Sequence, residues 1–162
     1  MKKIQPWLGL SARLILGGTL IAAGYLKFDE LDKSQMAVRA YEMLPIPLAN
    51  FLGIVVPFFE LAVGILLVIG AGVRISAALS ALLMIAFMIA ITQAWARGLS
   101  IDCGCFGGGG QVPEGEANYL TPLLRDTGLA LLGVYLTLFP HTKFGLDKKP
   151  QSATQLGEGT HG

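Results

Sequence analysis

The sequence predicts an all-α protein, an antiparallel bundle of four transmembrane helices with both termini in the cytoplasm. Three observations carry this: 53% of the 162 residues are apolar, only 14% are charged, and four long apolar stretches divide the chain. A soluble domain carries roughly 25% charged residues. This chain, with a mean hydropathy of +0.61, lacks the polar surface to cover a globule in water. Its length allows one domain. A net charge of +1 leaves no basic stripe to neutralise phosphates, which argues against nucleic acid as a partner.

The four stretches lie at about residues 7–26, 51–69, 75–96 and 122–139. The first holds one charge, Arg13, and the second one, Glu60. The third holds none, and the fourth has Arg125 and Asp126 in its opening turn. A bilayer core of about 30 Å needs about 20 helical residues. Backbone polar groups must be satisfied within lipid, so spans of this kind are helices. The first stretch has a rival reading as a cleaved signal peptide with Lys2 and Lys3 as its basic end. Arg13 interrupts its apolar run, and the span is long enough to cross, which favours a retained helix.

Between the first two spans, Met36, Ala37, Ala40, Tyr41 and Leu44 recur at helical spacing. They predict a short interfacial helix over 33–44, ended by Pro45 and Pro47. The fourth span has a start signal: Thr121 as cap, Pro122 at the first helical position, and Asp126 near the positive end of the helix dipole. The transmembrane domain thus covers 1–144. The remainder, 145–162, is polar without apolar periodicity and is expected to be disordered.

Lysine and arginine orient the bundle. Lys2, Lys3, Arg74, Lys143, Lys148 and Lys149 fall on one side, and Lys27, Lys33, Arg39 and Arg97 on the other. The bias places the termini inside a bacterial inner membrane and the loop with Cys103 and Cys105 in the periplasm or at the exterior. Disulfides persist there.

Asp102-Cys103-Gly104-Cys105-Phe106 holds the chain's two cysteines. A disulfide needs Cα atoms about 4.4–6.8 Å apart, which a one-residue gap reaches only if the backbone turns. Gly104 permits that turn because it adopts positive φ readily. The small ring would be strained, and strained, exposed disulfides are the exchangeable kind. Three readings stay open: a redox-active dithiol, an inert disulfide or pair of tethered thiols, and a soft-metal site to which Asp102 adds an oxygen. Two thiolates are too few for a closed zinc site. His141 and His161 fall on the opposite side of the membrane.

Within the membrane, Gly53, Pro57, Glu60 and Gly64 fall on one helical stripe, and Arg13, Gly17 and Gly24 form a similar one. A carboxylate at this depth should face the bundle and find a partner. By depth, either Arg13 or Arg125 suits Glu60. These charges either glue helices together or frame a pocket beneath the cysteine loop, where a carboxylate relays protons or binds a quinone oxygen. Phe58, Phe59, Trp95 and Phe106 are its candidate lining, or equally interface anchors.

With four helices, Pro57-Phe58-Phe59-Glu60-Leu61 followed by Gly64, the Asp102–Gly107 segment and Arg125-Asp126, the chain resembles the MauE/DoxX-like membrane family, its methylamine-utilisation branch above all. The resemblance covers roughly residues 7–140 and implies a redox-associated inner-membrane protein. That branch is associated with maturation of the disulfide-rich small subunit of methylamine dehydrogenase, and the DoxX branch with quinone-coupled sulfur oxidation. It implies Cys103 and Cys105 as the redox pair, with Glu60 and Arg125 in support. It further implies a periplasmic thioredoxin-like or maturing redox protein as partner, and quinone as an open cofactor. Asp126 stands where many relatives are expected to have asparagine. Four-helix quinone-linked disulfide generators use two cysteine pairs, whereas this chain has one. A non-catalytic scaffold with a disulfide staple, and an outer-face module for a metal ion or sulfur species, are the rival functions.

Overall fold

The computed structural model describes residues 5–104, 106 and 108–140. The expected disordered tail, both histidines, Lys2, Lys3 and Cys105 lie outside them. Among the described residues there are five helices, α1 (Gln5–Asp29), α2 (Leu31–Ala40), α3 (Ile46–Ile69), α4 (Val73–Ala96) and α5 (Leu120–Leu138). A two-stranded ribbon, β1 (Ile101–Asp102) and β2 (Gly110–Gln111), stands between α4 and α5. Trp7–Asp29, Ile46–Ile69 and Val73–Ala96 are long and apolar enough to cross a membrane. Their outward faces carry large exposed apolar side chains such as Ile15, Phe51, Ile65, Ile75 and Leu82, a surface suited to lipid. The protein is multi-pass.

The four long helices form a ring in which α1 packs on α3, α3 on α4, α4 on α5 and α5 back on α1. Gly24 of α1 abuts Pro57 and Leu61 of α3, and Gly17 abuts Gly64 and Leu67. The numbering runs in opposite senses, so this pair is antiparallel. Met88 meets Thr127 while Ala77 and Ala81 meet Gly133, which makes α4 and α5 antiparallel too. The core within the ring includes Leu16, Leu20, Leu67, Met84, Leu129 and Leu136. Integrated against α3 along this seam, α1 is a structural member of the bundle.

Every long helix begins earlier than the apolar stretches suggest. Polar residues at α1's end and prolines at α3's start do not stop a helix whose other residues still pack. Pro47 sits in the first turn of α3, where no N–H is required. Gly70, at φ 74°, closes α3 by donating to Leu66 and Leu67 carbonyls, and Gly72, at φ 56°, leads into α4. At α5 the expected cap Thr121 instead donates its own N–H to Asn118 Oδ1 at 3.2 Å. The helix therefore starts at Leu120, and Asp126 sits nearly two turns in, fully buried rather than at the surface.

The interfacial helix exists but ends at Ala40, short of Leu44. Arg97, just past the end of α4, and Gln93 within it donate to the Tyr41 carbonyl at 3.2 and 3.1 Å, with Arg97 also reaching Glu42. A cation at a helix C-terminus satisfies its last carbonyls and opposes its dipole. The buried face of α2 is Ser34, Ala37 and Ala40, while Met36 is exposed.

Ser34 answers a defect made by Pro57. The proline has no N–H for the Gly53 carbonyl, and Ser34 Oγ donates to that carbonyl at 2.7 Å. Ser34→Ala should cost about 1–3 kcal/mol, the usual penalty for an abandoned buried acceptor. Adding Pro57→Ala should return most of it by restoring the helical bond. Detergent-phase unfolding of the two variants tests this, and equal losses would show that Ser34 acts by packing alone.

Candidate functional site

The cysteine loop closes the β1–β2 ribbon, whose register pairs Ile101 with Gln111 and Asp102 with Gly110. The ribbon is pinned from both sides. Tyr119 donates its hydroxyl to the Leu99 carbonyl, and Ile101 is buried against Ala40 and Ala94. Cys103 follows β1 directly and is half-buried. Its carbonyl accepts a hydrogen bond from Tyr41 Oη at 3.1 Å. Gly104 takes φ +64°, the left-handed turn that the one-residue spacing demands. A Cβ there would lie 2.5 Å from the Ala37 Cβ, so the loop rests on α2. Asp102 Oδ1 accepts from the Gly104 N–H at 3.4 Å and braces the turn.

Beneath the loop is a cluster of charges from three helices. Glu60, 0% exposed, receives two hydrogen bonds from Lys27 Nζ, at 2.7 and 2.9 Å. Lys27 is itself 5% exposed and lies 4.9 Å from the centre of the Phe87 ring. Arg125 donates from Nε and Nη2 to Asp126 Oδ1 at 2.9 and 2.8 Å. The second Asp126 oxygen, Oδ2, is buried without a hydrogen-bond partner. The two pairs act electrostatically on one another. Two cations face two anions, so the cluster is neutral as a whole.

The partner expected for Glu60 is corrected here. Neither Arg13 nor Arg125 forms the ion pair. Arg13 is buried on α1, but it precedes Lys27 by 14 residues, roughly 21 Å along a helix, toward the Gly70 end. Arg125 is bound to its neighbour. Lys27, expected in a loop, belongs to α1 because that helix continues to Asp29.

The aromatic candidates separate. Phe106 covers Arg125, its ring centre 4.5 Å from Cζ. Phe59 packs on the core. Phe58 stands outside, edge-on to Phe28 at 5.3 Å, and Trp95 stacks on Tyr119 at 6.0 Å. Among the described residues, no group of three or more His, Cys, Asp or Glu side chains is arranged to hold a metal ion.

Sequence reasoning missed Lys27, Phe87 and Tyr41. A signal for Lys27 was present: Arg13, Gly17, Leu20, Gly24 and Lys27 follow one another at helical steps of three and four, the same rhythm as Gly53 to Leu67. Tyr41 and Phe87 carry no comparable mark.

A family model described as methylamine utilisation protein MauE matches residues 5–139. The methylamine utilization protein MauE of Paracoccus denitrificans is 31% identical over 129 residues, covering 79% of this chain and 69% of that protein. No solved structure matches. The match spans every helix and the whole cysteine-loop and charge-cluster region, and the chain belongs to the MauE family.

Proposed function

We propose that this protein is a thiol–disulfide redox protein of the bacterial inner membrane that serves a periplasmic partner in methylamine utilisation. The observation that carries the reading is the seat of the cysteine loop. Cys103 is held at the rim of the bundle by Tyr41 and followed by Gly104 in the conformation that lets a Cys-x-Cys backbone turn back on itself. Open grooves of 240 and 300 Å³ border the same ribbon around Ala40 and Gln111, giving an incoming polypeptide room along the ribbon.

The orientation follows from charge. With α5 as a fourth crossing of 19 residues, the termini and the Gly70–Gly72 turn share one side and the cysteine loop lies on the other. Burial of Lys27 removes it from the outer loops, leaving Lys33, Arg39 and Arg97 there against six cations on the terminal side. That strengthens the bias toward cytoplasmic termini.

In the reaction, a thiolate of the partner attacks the Cys103–Cys105 disulfide and a mixed disulfide forms. The partner's second thiol then resolves it. The partner leaves with one new disulfide, and Cys103 and Cys105 leave as thiols. Restoring the disulfide needs a two-electron oxidant; a membrane quinone, for which Glu60 is the candidate holding residue, would supply it by accepting two electrons and two protons from the reduced pair. Maturation of a disulfide-rich redox enzyme is the task this serves.

Thiol trapping of Cys103 and Cys105 in native membranes, against glutathione buffers of known potential, tests the reading. A reversible transition above about −200 mV is expected, the range of disulfide donors. A pair that remains disulfide-bonded below about −300 mV would be a structural staple, and the protein would then be a scaffold.

A further inference from the structure

Besides the close approach of Gly104 to α2, two side-chain contacts among the described residues tie the cysteine loop to the bundle, and the second has a chemistry of its own. Tyr41 of α2 holds the Cys103 carbonyl at 3.1 Å. On the far side, Phe106 follows Cys105 directly in the chain and lays its ring over the Arg125 guanidinium of α5 at 4.5 Å. That guanidinium is gripped from below by two hydrogen bonds to Asp126, which is 1% exposed and fixed in the core. Contact therefore runs from the buried Asp126 through Arg125 to the loop. The other two arginines on this side are committed elsewhere: Arg97 is bonded to the Tyr41 and Glu42 carbonyls and the Glu42 carboxylate just after α2, and Arg39 to Asn50 and Gln35.

We infer that Arg125 is the positioning residue of the cysteine pair: held by Asp126, it grips the Phe106 ring and fixes the loop on the bundle. The inference deepens the redox reading and takes its purpose from it, although the contact exists independently of any turnover. A ring 41% exposed is free to lift away from a cation, and a cation–π contact at a half-open site is a weak one. That is strong enough to hold the loop at rest and weak enough to release it to a docking partner.

The test uses the full chain in membrane vesicles, reduced, desalted and alkylated with a maleimide across a pH series. The plateau rate at alkaline pH reports thiol exposure, since all thiols are then ionised, and the midpoint reports the local charge. Arg125→Gln and Phe106→Leu should each raise the plateau at least about threefold, the scale of a lost cation–π contact. The double variant should exceed neither single change by much, because both break one contact. Phe106→Tyr, which keeps a ring face, should stay near wild type, and Arg125→Lys should fall between. Unchanged plateaus, or a double effect equal to the product of the singles, would overturn the inference. Should Arg125→Gln fail to accumulate because Asp126 is left buried alone, the Phe106 variants decide: equal rates for leucine and tyrosine overturn it. Alkylation is read on reduced thiols, so an inert pair in the redox titration would refute the proposed function and leave this result standing.

Discussion

Lys27→Met should destabilise the protein by about 3–5 kcal/mol, the usual cost of stranding one partner of a buried ion pair. Lys27 Nζ is the donor to both Glu60 oxygens, and Glu60 has no exposed surface. Its loss leaves the Glu60 carboxylate in the apolar interior without the cation that donates to both its oxygens. The double variant Lys27→Met/Glu60→Met should recover most of that stability, because apolar groups of similar volume often replace a buried pair without net loss. The contrast is Glu30→Gln. It breaks the Lys33–Glu30 bridge, whose side chains are 50% and 44% exposed, and should change stability by no more than about 1 kcal/mol. Unfolding followed in detergent, together with the folded yield in membranes, is measured for these three variants and for Glu60→Met alone. Additive single losses in the double variant would mean that Lys27 and Glu60 stabilise the bundle separately.

The double variant also separates two roles for Glu60. A folded protein with normal thiol titration and normal turnover would make the pair a strut between α1 and α3. A folded protein whose thiols still exchange with a partner, but are no longer reoxidised, would place Glu60 on the route by which protons or quinone reach the loop. Asp126, with Oδ2 buried and unpartnered, is then the next carboxylate to test.

Much of the bundle was legible because its helices are long, and lipid imposes a simple rule on the outward faces. The polar stripe of α3 could also be read, since Gly53, Pro57, Glu60 and Gly64 stand out against aliphatic neighbours. Helix ends were not legible. Hydropathy marks where a segment turns polar, but α1 continues through Lys27 because that lysine has a partner one helix away. The error in the end carried directly into the site. With Lys27 assigned to a loop, the only cations left for Glu60 were Arg13 and Arg125. Local chemistry such as the Gly104 turn could be derived from spacing. The Tyr41 and Phe106 contacts could not, because they join segments whose approach depends on how α2 and α5 pack.

The close approach that brings Lys27 to Glu60 leads to the second large effect. A Cβ on Gly24 would stand 2.8 Å from the Pro57 carbonyl oxygen and 2.9 Å from Leu61 Cγ, and one on Gly64 would stand 2.8 Å from Ile21 Cγ1 and 2.9 Å from the Gly17 carbonyl oxygen. Gly18, on the outward face of the same helix, would meet nothing within 4 Å. Small residues let membrane helices pack backbone to backbone, whereas in an open helical position glycine costs about 1 kcal/mol relative to alanine. One substitution should therefore have opposite signs. Gly18→Ala should stabilise by up to about 1 kcal/mol. Gly24→Ala and Gly64→Ala should destabilise by about 1–3 kcal/mol through overpacking, and Gly64→Leu should prevent the seam from closing. Gly24 lies one turn before Lys27, so forcing the helices apart there also lengthens the Lys27–Glu60 contact. Gly24→Ala and Lys27→Met should consequently be less than additive. Full additivity would separate the ion pair from the glycine seam, and equal effects at Gly18 and Gly24 would remove the close approach itself.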